Sequence, residues 1–330
     1  MICKQSIVYL FIIRFDPLLK KVCIVGASGL LGNKLIEKIN DLEILGTYHQ
    51  TPVNFKNSEL IQLDITKPEN CEKILKLNPD FIINAAAITD VDYCEKHPKK
   101  AYEVNVLGTK NLVEIAKKLD CKFIHISTDG IFSGKDNSYG ENDLPDPQNY
   151  YGKTKLESEN EVKTLNNFLI CRTNLLYGYV PTIQLNKRSN YLKPTNFVLW
   201  ILSQLSKNKS LQIVNDQFSN PTLVDNLTEI IEFALKKNLV GVFHTTDISC
   251  VSRFEFAQKI AKIFGFSQSL ISPISSEQLN QFAKRPSHTC LDCSKIQNED
   301  IALHTVDESL EILFSIISNE EPNLISKNKI

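Results

Sequence analysis

A tyrosine and a lysine with the spacing of a proton-transfer pair lie in the stretch Tyr150-Tyr-Gly-Lys-Thr-Lys155. Tyr151 and Lys155 are four residues apart, so on a helix they share one face. An ammonium group near a phenol favours the phenolate and brings the tyrosine pKa from about 10 toward neutrality. Thr128, which ends the apolar run 121–128, offers a hydroxyl that could hold a carbonyl oxygen. These three side chains suit the reduction of a carbonyl group.

A Tyr-x-x-x-Lys spacing arises by chance in many chains of this length, so its meaning depends on whether the chain also builds a cofactor site. The apolar strand 21–25 runs directly into Gly26-Ala-Ser-Gly-Leu-Leu-Gly32, and Leu31, Leu35 and Ile36 then recur at helical spacing. Strand, glycine turn and helix in this order form the first unit of a dinucleotide-binding fold. An ordinary glycine-rich turn between a strand and a helix is the alternative.

The predicted cofactor site extends from this turn to the ends of the next strands. Backbone N–H groups of the turn would bind a diphosphate at the positive end of the helix. Asp64 and Ile65 could flank an adenine, and a run of small residues after the fourth strand lets the backbone pass close to a ligand. The residues predicted to bind the cofactor in this way are Gly26, Ser28, Gly29, Leu30, Leu31, Gly32, Asp64, Ile65, Ala85, Ala86 and Ala87.

The cofactor preference is read from the end of the second predicted strand. Many NAD-dependent proteins place a ribose-binding carboxylate there, whereas this chain has Thr47-Tyr-His-Gln50. The missing carboxylate favours NADP(H) over NAD(H), because an acid would repel a 2′-phosphate. The arginine that often binds this phosphate is missing as well, so the preference is mild.

Apolar strands alternate with helical patterns through six units, which predicts an α/β fold with a Rossmann-type, doubly wound parallel sheet. Ligands bind at the carboxyl ends of the strands in such sheets, where the glycine turn, the three alanines and Thr128 all fall. The strands are expected at residues 21–25, 42–48, 59–65, 79–87, 121–128 and 168–173, and long helices at 98–119 and 151–163.

The regular alternation of strands and helices ends after residue 178. Residues 21–178 are predicted to form the NAD(P)-binding domain and residues 179–330 mainly a smaller substrate-binding lid, with 211–247 returning to the sheet domain. Residues 1–20 are interpreted as an extension outside the fold. In the second half we expect an irregular insert at 179–195, helices at 197–205, 252–264 and 306–317, strands at 211–214 and 241–246, and a loop at 215–222, capped by Thr222, before a helix that ends at 235.

The composition excludes several classes of partner. With a net charge of −1, the chain has no electrostatic footprint for nucleic acid or an anionic membrane. The apolar run 7–13 is far shorter than the roughly 20 residues of a membrane-spanning helix. Nine cysteines are scattered without a framework, and we interpret them as reduced thiols of a cytoplasmic protein. Cys290 and Cys293 form a lone C-x-x-C pair, so no metal site is predicted.

Taken together, the motifs resemble the extended short-chain dehydrogenase/reductase superfamily, and within it the dTDP-4-dehydrorhamnose reductase family. The resemblance covers roughly residues 21–318 and depends on seven segments in the order of the family. They are Gly26-Ala-Ser-Gly-Leu-Leu-Gly32, Asn84-Ala-Ala-Ala87, Val91-Asp92, Ser127-Thr-Asp129, Tyr151-Gly-Lys-Thr-Lys155, Asn215-Asp-Gln-Phe218 with Pro221-Thr222, and Arg285-Pro286 with Leu291-Asp292.

The resemblance implies a catalytic role for Thr128, Tyr151 and Lys155. Tyr151 would donate a proton and also contact the cofactor. Lys155 would lower the tyrosine pKa and bind the nicotinamide ribose, and Thr128 would hydrogen-bond the substrate carbonyl. Hydride would pass from NAD(P)H to a ketone carbon of a nucleotide-linked 4-keto-deoxysugar, in the synthesis of cell-surface polysaccharide precursors. Tyr150 is five residues from Lys155, which favours Tyr151 as the donor.

Further ligand contacts are implied on both sides of this centre. Thr89, Asp92 and Asp129 are expected near the substrate and Asn105 near the cofactor, although Thr89, Asp92 and Asn105 could equally be loop caps or polar residues of a helix face. Arg285 could pair with a diphosphate or remain a surface arginine.

One departure from the family pattern concerns the substrate. The family usually continues Ser-Thr-Asp with Tyr-Val-Phe, whereas this chain has Gly130-Ile-Phe132. An aromatic contact is therefore missing and the sugar is left open. A dehydratase of the same superfamily would need a glutamate at position 130 and is disfavoured. An NADP-binding regulatory subunit similar to the methionine adenosyltransferase beta subunit, and a sugar-nucleotide epimerase, are the alternatives; a homodimer is allowed.

Overall fold

The computed structural model describes residues 19–53, 55, 58–180, 196–279 and 281–325. The predicted extension at 1–20 and insert at 179–195 fall largely outside the described residues. The strands are β1 Lys21–Val25, β2 Glu43–Tyr48, β3 Glu59–Gln62, β4 Phe81–Asn84, β5 Lys122–Thr128, β6 Phe168–Thr173, β7 Leu176–Tyr177, β8 Leu211–Val214, β9 Phe218–Ser219, β10 Thr222–Leu223, β11 Gly241–His244, β12 Val251–Ser252 and β13 Ile271–Ile274.

The helices complete the alternating pattern. They are α1 Leu30–Lys38, α2 Pro68–Cys71, α3 Lys73–Leu77, α4 Val91–Lys96, α5 Pro98–Tyr102, α6 Gly108–Leu119, α7 Tyr150–Val162, α8 Phe197–Leu205, α9 Val224–Lys236, α10 Arg253–Ile263, α11 Ser294–Gln297 and α12 Val306–Glu320. None of the described helices is long and apolar enough to cross a bilayer.

A parallel sheet of seven strands in the order β3-β2-β1-β4-β5-β6-β11 forms the centre of the molecule. The strand order reverses between β1 and β4, which is the switch point of a doubly wound sheet. The predicted Rossmann-type α/β fold is therefore confirmed. The sheet has one more strand than the six predicted units, because β11 pairs in parallel with the edge strand β6.

Both faces of the sheet are covered by amphipathic helices. On one face, α1 and α9 pack together, with Leu35 and Ile231 among the fully buried apolar side chains. Lys34 and Asp225 form an ion pair of 3.4 Å across these two helices. On the other face, α6 buries Leu112 and Val113 against β4 and β5. Helix α9 and strand β11 thus bring part of the second half of the chain back onto the sheet.

A second hydrophobic cluster unites α8, α10 and α12, with Phe256, Phe264 and Leu313 at its centre. Strand β8 pairs with β13 beside this cluster and not with the large sheet. The predicted return at 211–247 therefore does not include β8. Thr222 was expected to cap the following helix, but it lies in β10, its hydroxyl donates to Asn220 O, and Leu223 precedes the helix.

Several predicted elements end elsewhere in the structure. The expected third and fourth strands end early, at Gln62 and Asn84, because side-chain bonds from Asp64 and Asn84 to the following backbone start turns there. The expected helix 98–119 is interrupted by a π-helical turn at Glu103–Leu107. Asn105 lies in the middle of this turn, and turns of this kind are frequent at functional sites.

The interpretation of the cysteines as reduced thiols is wrong for one pair. Cys250 and Cys290 form a disulfide with a Cα–Cα distance of 5.6 Å. The two cysteines come together because β12, which follows Cys250, and His288, which precedes Cys290, both pair with β9. The other cysteines of the described chain are buried thiols, namely Cys23, Cys71, Cys94, Cys121, Cys171 and Cys293. Among the described residues there is no cluster of three side chains suited to hold a metal ion.

Candidate active site

The glycine turn after β1 packs directly onto the end of β4. Gly26 has a φ of +88°, and a Cβ added there would lie 2.9 Å from the backbone nitrogen of Ala86. A Cβ on Gly32 would lie 2.3 Å from Gly26 O. These contacts leave room for hydrogen only, which explains the residue type at both positions. The turn therefore presents bare backbone at the carboxyl edge of the sheet.

The start of α1 has the backbone geometry that a diphosphate requires. The cap residue Gly29 has no side chain that could accept from the first amides, and the first intrahelical bond runs from Asn33 N to Gly29 O at 3.0 Å. The amides of Leu30, Leu31 and Gly32 consequently have no acceptor within the helix. They point out of the positive end of the helix dipole, where an anion is stabilised. The turn fits the diphosphate of a dinucleotide.

The remaining residues predicted for the cofactor lie around this turn. Ala85 N donates to Val25 O, so the alanine run after β4 begins beside the end of β1, where the glycine turn starts. The Asp64 carboxylate accepts hydrogen bonds from Thr66 N and Oγ1 at 3.0 and 2.7 Å and lies 3.8 Å from His49 Nε2. Ile65 is buried nearby. Contact of these residues with a cofactor stays a prediction.

Asn105 is placed by the π-helical turn, and its side chain is occupied by protein groups. Its Oδ1 accepts from Ile88 N at 2.8 Å, while Nδ2 donates to Ile88 O at 3.1 Å and Thr154 Oγ1 at 3.0 Å. The side chain thus fastens the loop after β4 to α7. This arrangement favours the role of a polar residue on a helix face over a direct ligand contact.

Thr128 and Tyr151 meet where β5 ends and α7 begins. Asn149 caps α7 by accepting from Gly152 N at 2.9 Å, and a Cβ on Gly152 would lie 2.1 Å from Gly130 O. The first turn of α7 is therefore seated against the turn that follows Thr128. A Cβ on Gly130 would lie 3.4 Å from Thr128 Oγ1 and 3.7 Å from Tyr151 Cδ1, so the two side chains flank one point.

The electrostatics of Tyr151 differ from the expected lowering of its pKa. Burial raises the pKa of the Tyr151 phenol above its usual value; the Thr128 hydroxyl opposes this shift and the Asp129 carboxylate adds to it. The phenol is consequently protonated near neutral pH. A protonated phenol is the form that can donate a proton to a new alkoxide.

Lys155 lies one turn further along α7, but its ammonium group is directed to the end of β5. Nζ donates to Ile126 O at 2.7 Å and lies 3.1 Å from His125 Nε2. Lys155 is 2% exposed, and burial lowers the pKa of its ammonium to about 8, against the opposing charge of Glu159. These contacts explain why Lys155 does not lower the pKa of Tyr151 in this arrangement.

His125 is a buried neighbour of the site that the sequence reasoning missed. Its Nε2 lies 2.9 Å from Ser158 Oγ and its Nδ1 lies 3.4 Å from Asn84 Nδ2. Burial first, and the charge of Lys155 second, hold the pKa of His125 well below its usual value, so the imidazole is neutral. The available signal was a polar residue two positions before Ser127 in an otherwise apolar strand.

A second buried hydrogen-bond network connects β5 to α7 and β6 through Ser127, Glu159 and Arg172. Glu159 receives a bidentate pair from Arg172 Nε and Nη2, each at 2.9 Å, and the Ser127 hydroxyl at 2.7 Å. Burial opposes ionisation, but these partners keep the pKa of Glu159 below its usual value. The carboxylate and guanidinium lie beneath β5 and fix its position relative to α7.

The residues predicted for the substrate are divided by the structure into three places. Asp129 is next to Thr128, whose hydroxyl donates to Oδ1 at 2.9 Å, and burial raises the pKa of Asp129. Arg285 and Asp92 bind each other, with Nη2 2.9 Å from Oδ1. Thr89 lies exposed on the loop after β4. Substrate contact stays a prediction for all four residues. Arg285 and Asp92 already have each other as partners in the structure.

Comparison with known proteins identifies relatives over nearly the whole chain. A family model described as the RmlD substrate binding domain matches residues 20–317. The chain is 31% identical over 302 residues to the probable low-salt glycan biosynthesis reductase Agl14 of Haloferax volcanii, covering 90% of this chain and 98% of the relative. It is 32% identical to dTDP-4-dehydrorhamnose reductase of Aggregatibacter actinomycetemcomitans, covering 84% and 92%. It is also 28% identical to methionine adenosyltransferase 2 subunit beta of Bos taurus, covering 87% and 84%.

Solved structures agree with this assignment. The crystal structure of dTDP-4-dehydrorhamnose reductase from Bacillus anthracis in complex with NADP has a TM-score of 0.79 at 29% identity and covers 91% of this chain and 100% of its own. UDP-glucose 4-epimerase from Thermus thermophilus, with a TM-score of 0.75 at 17% identity over 89% of this chain and 98% of its own, shows the fold alone. The chain belongs to the RmlD substrate-binding family within the extended short-chain dehydrogenases/reductases.

Proposed function

We propose that this protein reduces the keto group of a nucleotide-linked 4-keto-deoxysugar with NAD(P)H, in the manner of a dTDP-4-dehydrorhamnose reductase. Its family membership supports the coarser description, an NAD(P)-dependent oxidoreductase related to sugar-nucleotide reductases. The single observation that carries the finer proposal is that Thr128 and Tyr151 meet at the carboxyl edge of the sheet, the same edge that carries the glycine turn.

In the proposed reaction the protein supplies the proton and the orientation. NAD(P)H, when bound, supplies the hydride to the carbonyl carbon. The Thr128 hydroxyl turns from Asp129 to the carbonyl oxygen, and Tyr151 donates its proton to that oxygen as negative charge develops. The raised pKa of Tyr151 keeps this proton in place until the charge appears. Lys155, with a pKa of about 8, is mostly charged at neutral pH. It lies one helical turn after Tyr151 in α7.

NADP(H) is proposed over NAD(H) as the cofactor. The end of β2 carries Tyr48 and His49 and no carboxylate that would repel a 2′-phosphate. His49 is exposed there and lies near Asp64. The similar dTDP-4-dehydrorhamnose reductase from Bacillus anthracis was solved in complex with NADP. Titration with NADPH and NADH would decide between them, since we expect tighter binding of NADPH.

The reaction is tested by mixing the protein with NADPH and dTDP-4-dehydro-6-deoxy-L-mannose and following the nicotinamide absorbance. Wild-type protein is expected to oxidise NADPH, whereas Tyr151→Phe should lose activity and still bind NADPH. Tyr150→Phe is the matched control, because that phenol is one residue away on the same helix. A folded wild-type protein that binds NADPH and leaves this ketosugar unchanged would contradict the rhamnose version of the proposal.

A regulatory subunit is the second candidate function. Gly130 removes an aromatic side chain next to Thr128, and the methionine adenosyltransferase 2 subunit beta is a relative at 28% identity. A subunit of this kind would purify in a stable hetero-complex and turn over no ketosugar. Isolated protein that turns over a ketosugar would exclude it. The cytoplasmic location, the homodimer, the boundary near residue 178 and a role in polysaccharide synthesis stay predictions.

A further inference from the structure

We propose that Arg253 is a substrate-binding residue whose guanidinium binds the diphosphate of the nucleotide-linked substrate. The inference rests on the proposed function, because it assigns a contact within the same site. Four features of the structure lead to it: the position of the α10 N-terminus, the path from there to Thr128, an unpaired donor, and the partners of Arg285.

The start of α10 is held beside the segment that carries Arg285. Arg253 is the first residue of α10 and its N–H donates to Gln217 O at 3.0 Å. A capping box between Ser252 and Glu255 fixes this first turn. The neighbouring Phe218 N donates to Ser287 O at 2.6 Å, so one short strand joins α10 to the chain just after Arg285.

The same strand leads to the catalytic edge of the sheet. Thr289 N donates to Phe218 O at 3.0 Å, and the Thr289 hydroxyl lies 3.4 Å from Asn174 Nδ2. Asn174 also donates to the Asp129 carboxylate, which accepts from Thr128. Arg253 is close enough for its charge to oppose the raised pKa that burial gives Asp129. The backbone path and this charge effect place Arg253 near the Asp129 carboxylate, next to Thr128.

The guanidinium of Arg253 is not satisfied by the described protein. Its Nη1 is buried and has no hydrogen-bond partner among the residues that the structure describes. Its Cζ lies 5.9 Å from the centre of the Phe197 ring, which offers a π-face but no acceptor. Burial lowers the pKa of Arg253 to about 10. Buried donors are almost always paired, so an unpaired one beside an active site indicates a ligand that supplies the acceptor.

Arg285, the arginine expected to bind the diphosphate, already has protein partners for both of its terminal nitrogens. Its Nη2 is bound to Asp92 Oδ1 at 2.9 Å and its Nη1 to Ala283 O at 2.8 Å. The charge of Arg285 also lowers the pKa of Arg253, so the two cations lie close enough to repel each other. A group with two negative charges between them relieves this repulsion, and a guanidinium binds phosphate oxygens in a fork. Arg253 therefore supplies the free donor for the diphosphate, and Arg285 contributes its charge.

The test compares binding of dTDP, UDP and thymidine to the protein loaded with NADP⁺, by calorimetry. Arg253→Met should weaken binding of the preferred nucleoside diphosphate about 10- to 100-fold, the loss typical of hydrogen bonds to a charged group. Arg253→Lys should restore part of the affinity, because it keeps the charge but not the fork. Thymidine and NADP⁺ should bind all variants alike. Lys262→Met is the matched control, since it removes an exposed charge from the same helix.

Each result has a separate meaning. Equal diphosphate affinity in wild type and Arg253→Met, with both folded by circular dichroism, would overturn the assignment, and so would a wild type that binds neither dTDP nor UDP. If diphosphate binding depends on Arg253 but no ketosugar is reduced, the inference holds and the proposed function fails.

Discussion

Replacing Lys155 by methionine should remove a rise in the free energy of unfolding that the wild type shows between pH 8 and 10.5. Lys155 is 2% exposed, and burial lowers its pKa from 10.5 to about 8. A shift of this size corresponds to roughly 3 kcal/mol of unfavourable free energy for the charged form in the folded protein. The wild type carries this cost in full below pH 8, because Lys155 is protonated in both the folded and the unfolded chain.

The sign follows from proton binding. Between pH 8 and 10.5 the unfolded chain keeps the lysine proton and the folded chain releases it, so the stability of the wild type rises with pH. Lys155→Met has no such proton. The free energy of unfolding of the wild type should therefore gain roughly 2–3 kcal/mol relative to Lys155→Met between pH 7 and pH 10. Loss of the hydrogen bond to Ile126 O adds an offset that does not depend on pH.

Denaturant unfolding followed by circular dichroism at pH 7, 8, 9 and 10 measures this difference. Lys153→Met is the control, because Lys153 is exposed on the same helix and its replacement should leave the pH slope unchanged. A difference between wild type and Lys155→Met that stays constant from pH 7 to pH 10 would refute the reasoning. It would mean that the folded protein does not penalise the charged lysine.

Three further predictions concern the cofactor turn, the buried ion pair and the substrate loop. Gly32→Ala should weaken NADPH binding at least tenfold, because its Cβ would lie 2.3 Å from Gly26 O; unchanged fluorescence titration curves would argue against the assigned turn. Glu159→Gln should lower the free energy of unfolding by about 3–5 kcal/mol, since it leaves the Arg172 guanidinium buried without a charged partner. A loss below about 1 kcal/mol in denaturant unfolding would show that the pair contributes little. Gly130→Tyr should fold normally, because its Cβ meets only ordinary contacts of 3.4 Å and longer, and should change the KM values of a panel of nucleotide ketosugars; an unfolded variant would contradict this.

The parts that the sequence predicts well are those governed by local rules. Apolar runs and glycine positions led to β1, the turn from Gly26 to Gly32 and α1, because a tight turn between a strand and a helix leaves a pattern within a dozen residues. The start of α7 was similarly visible, although its cap, Asn149, becomes evident only in the structure. The parallel sheet followed from the alternation of these units.

The remainder depends on contacts between distant segments, which periodicity does not encode. The return of residues 241–246 to the sheet domain was expected, but the position of β11 beside β6, some 70 residues earlier, was not. The bond between Cys250 and Cys290 forms because β12 and His288, which lie next to these cysteines, both pair with β9. The direction of the Lys155 ammonium depends on His125 across the gap between α7 and β5. The spacing of Tyr151 and Lys155 fixes their common helix face but not what each side chain contacts.

The most direct test of the central claim is a single-turnover measurement with wild type and Tyr151→Phe, both loaded with NADPH and mixed with a nucleotide-linked 4-keto-deoxysugar. Thr128 and Tyr151 meet at one point, where they can hold and protonate the carbonyl oxygen. The wild type should therefore reduce the sugar, and because each turnover transfers one hydride, NADP⁺ and reduced sugar should form in equal amounts. The variant should bind NADPH equally well and react at least about 100-fold more slowly. Equal rates in the two proteins would contradict the assignment of Tyr151 as the proton donor.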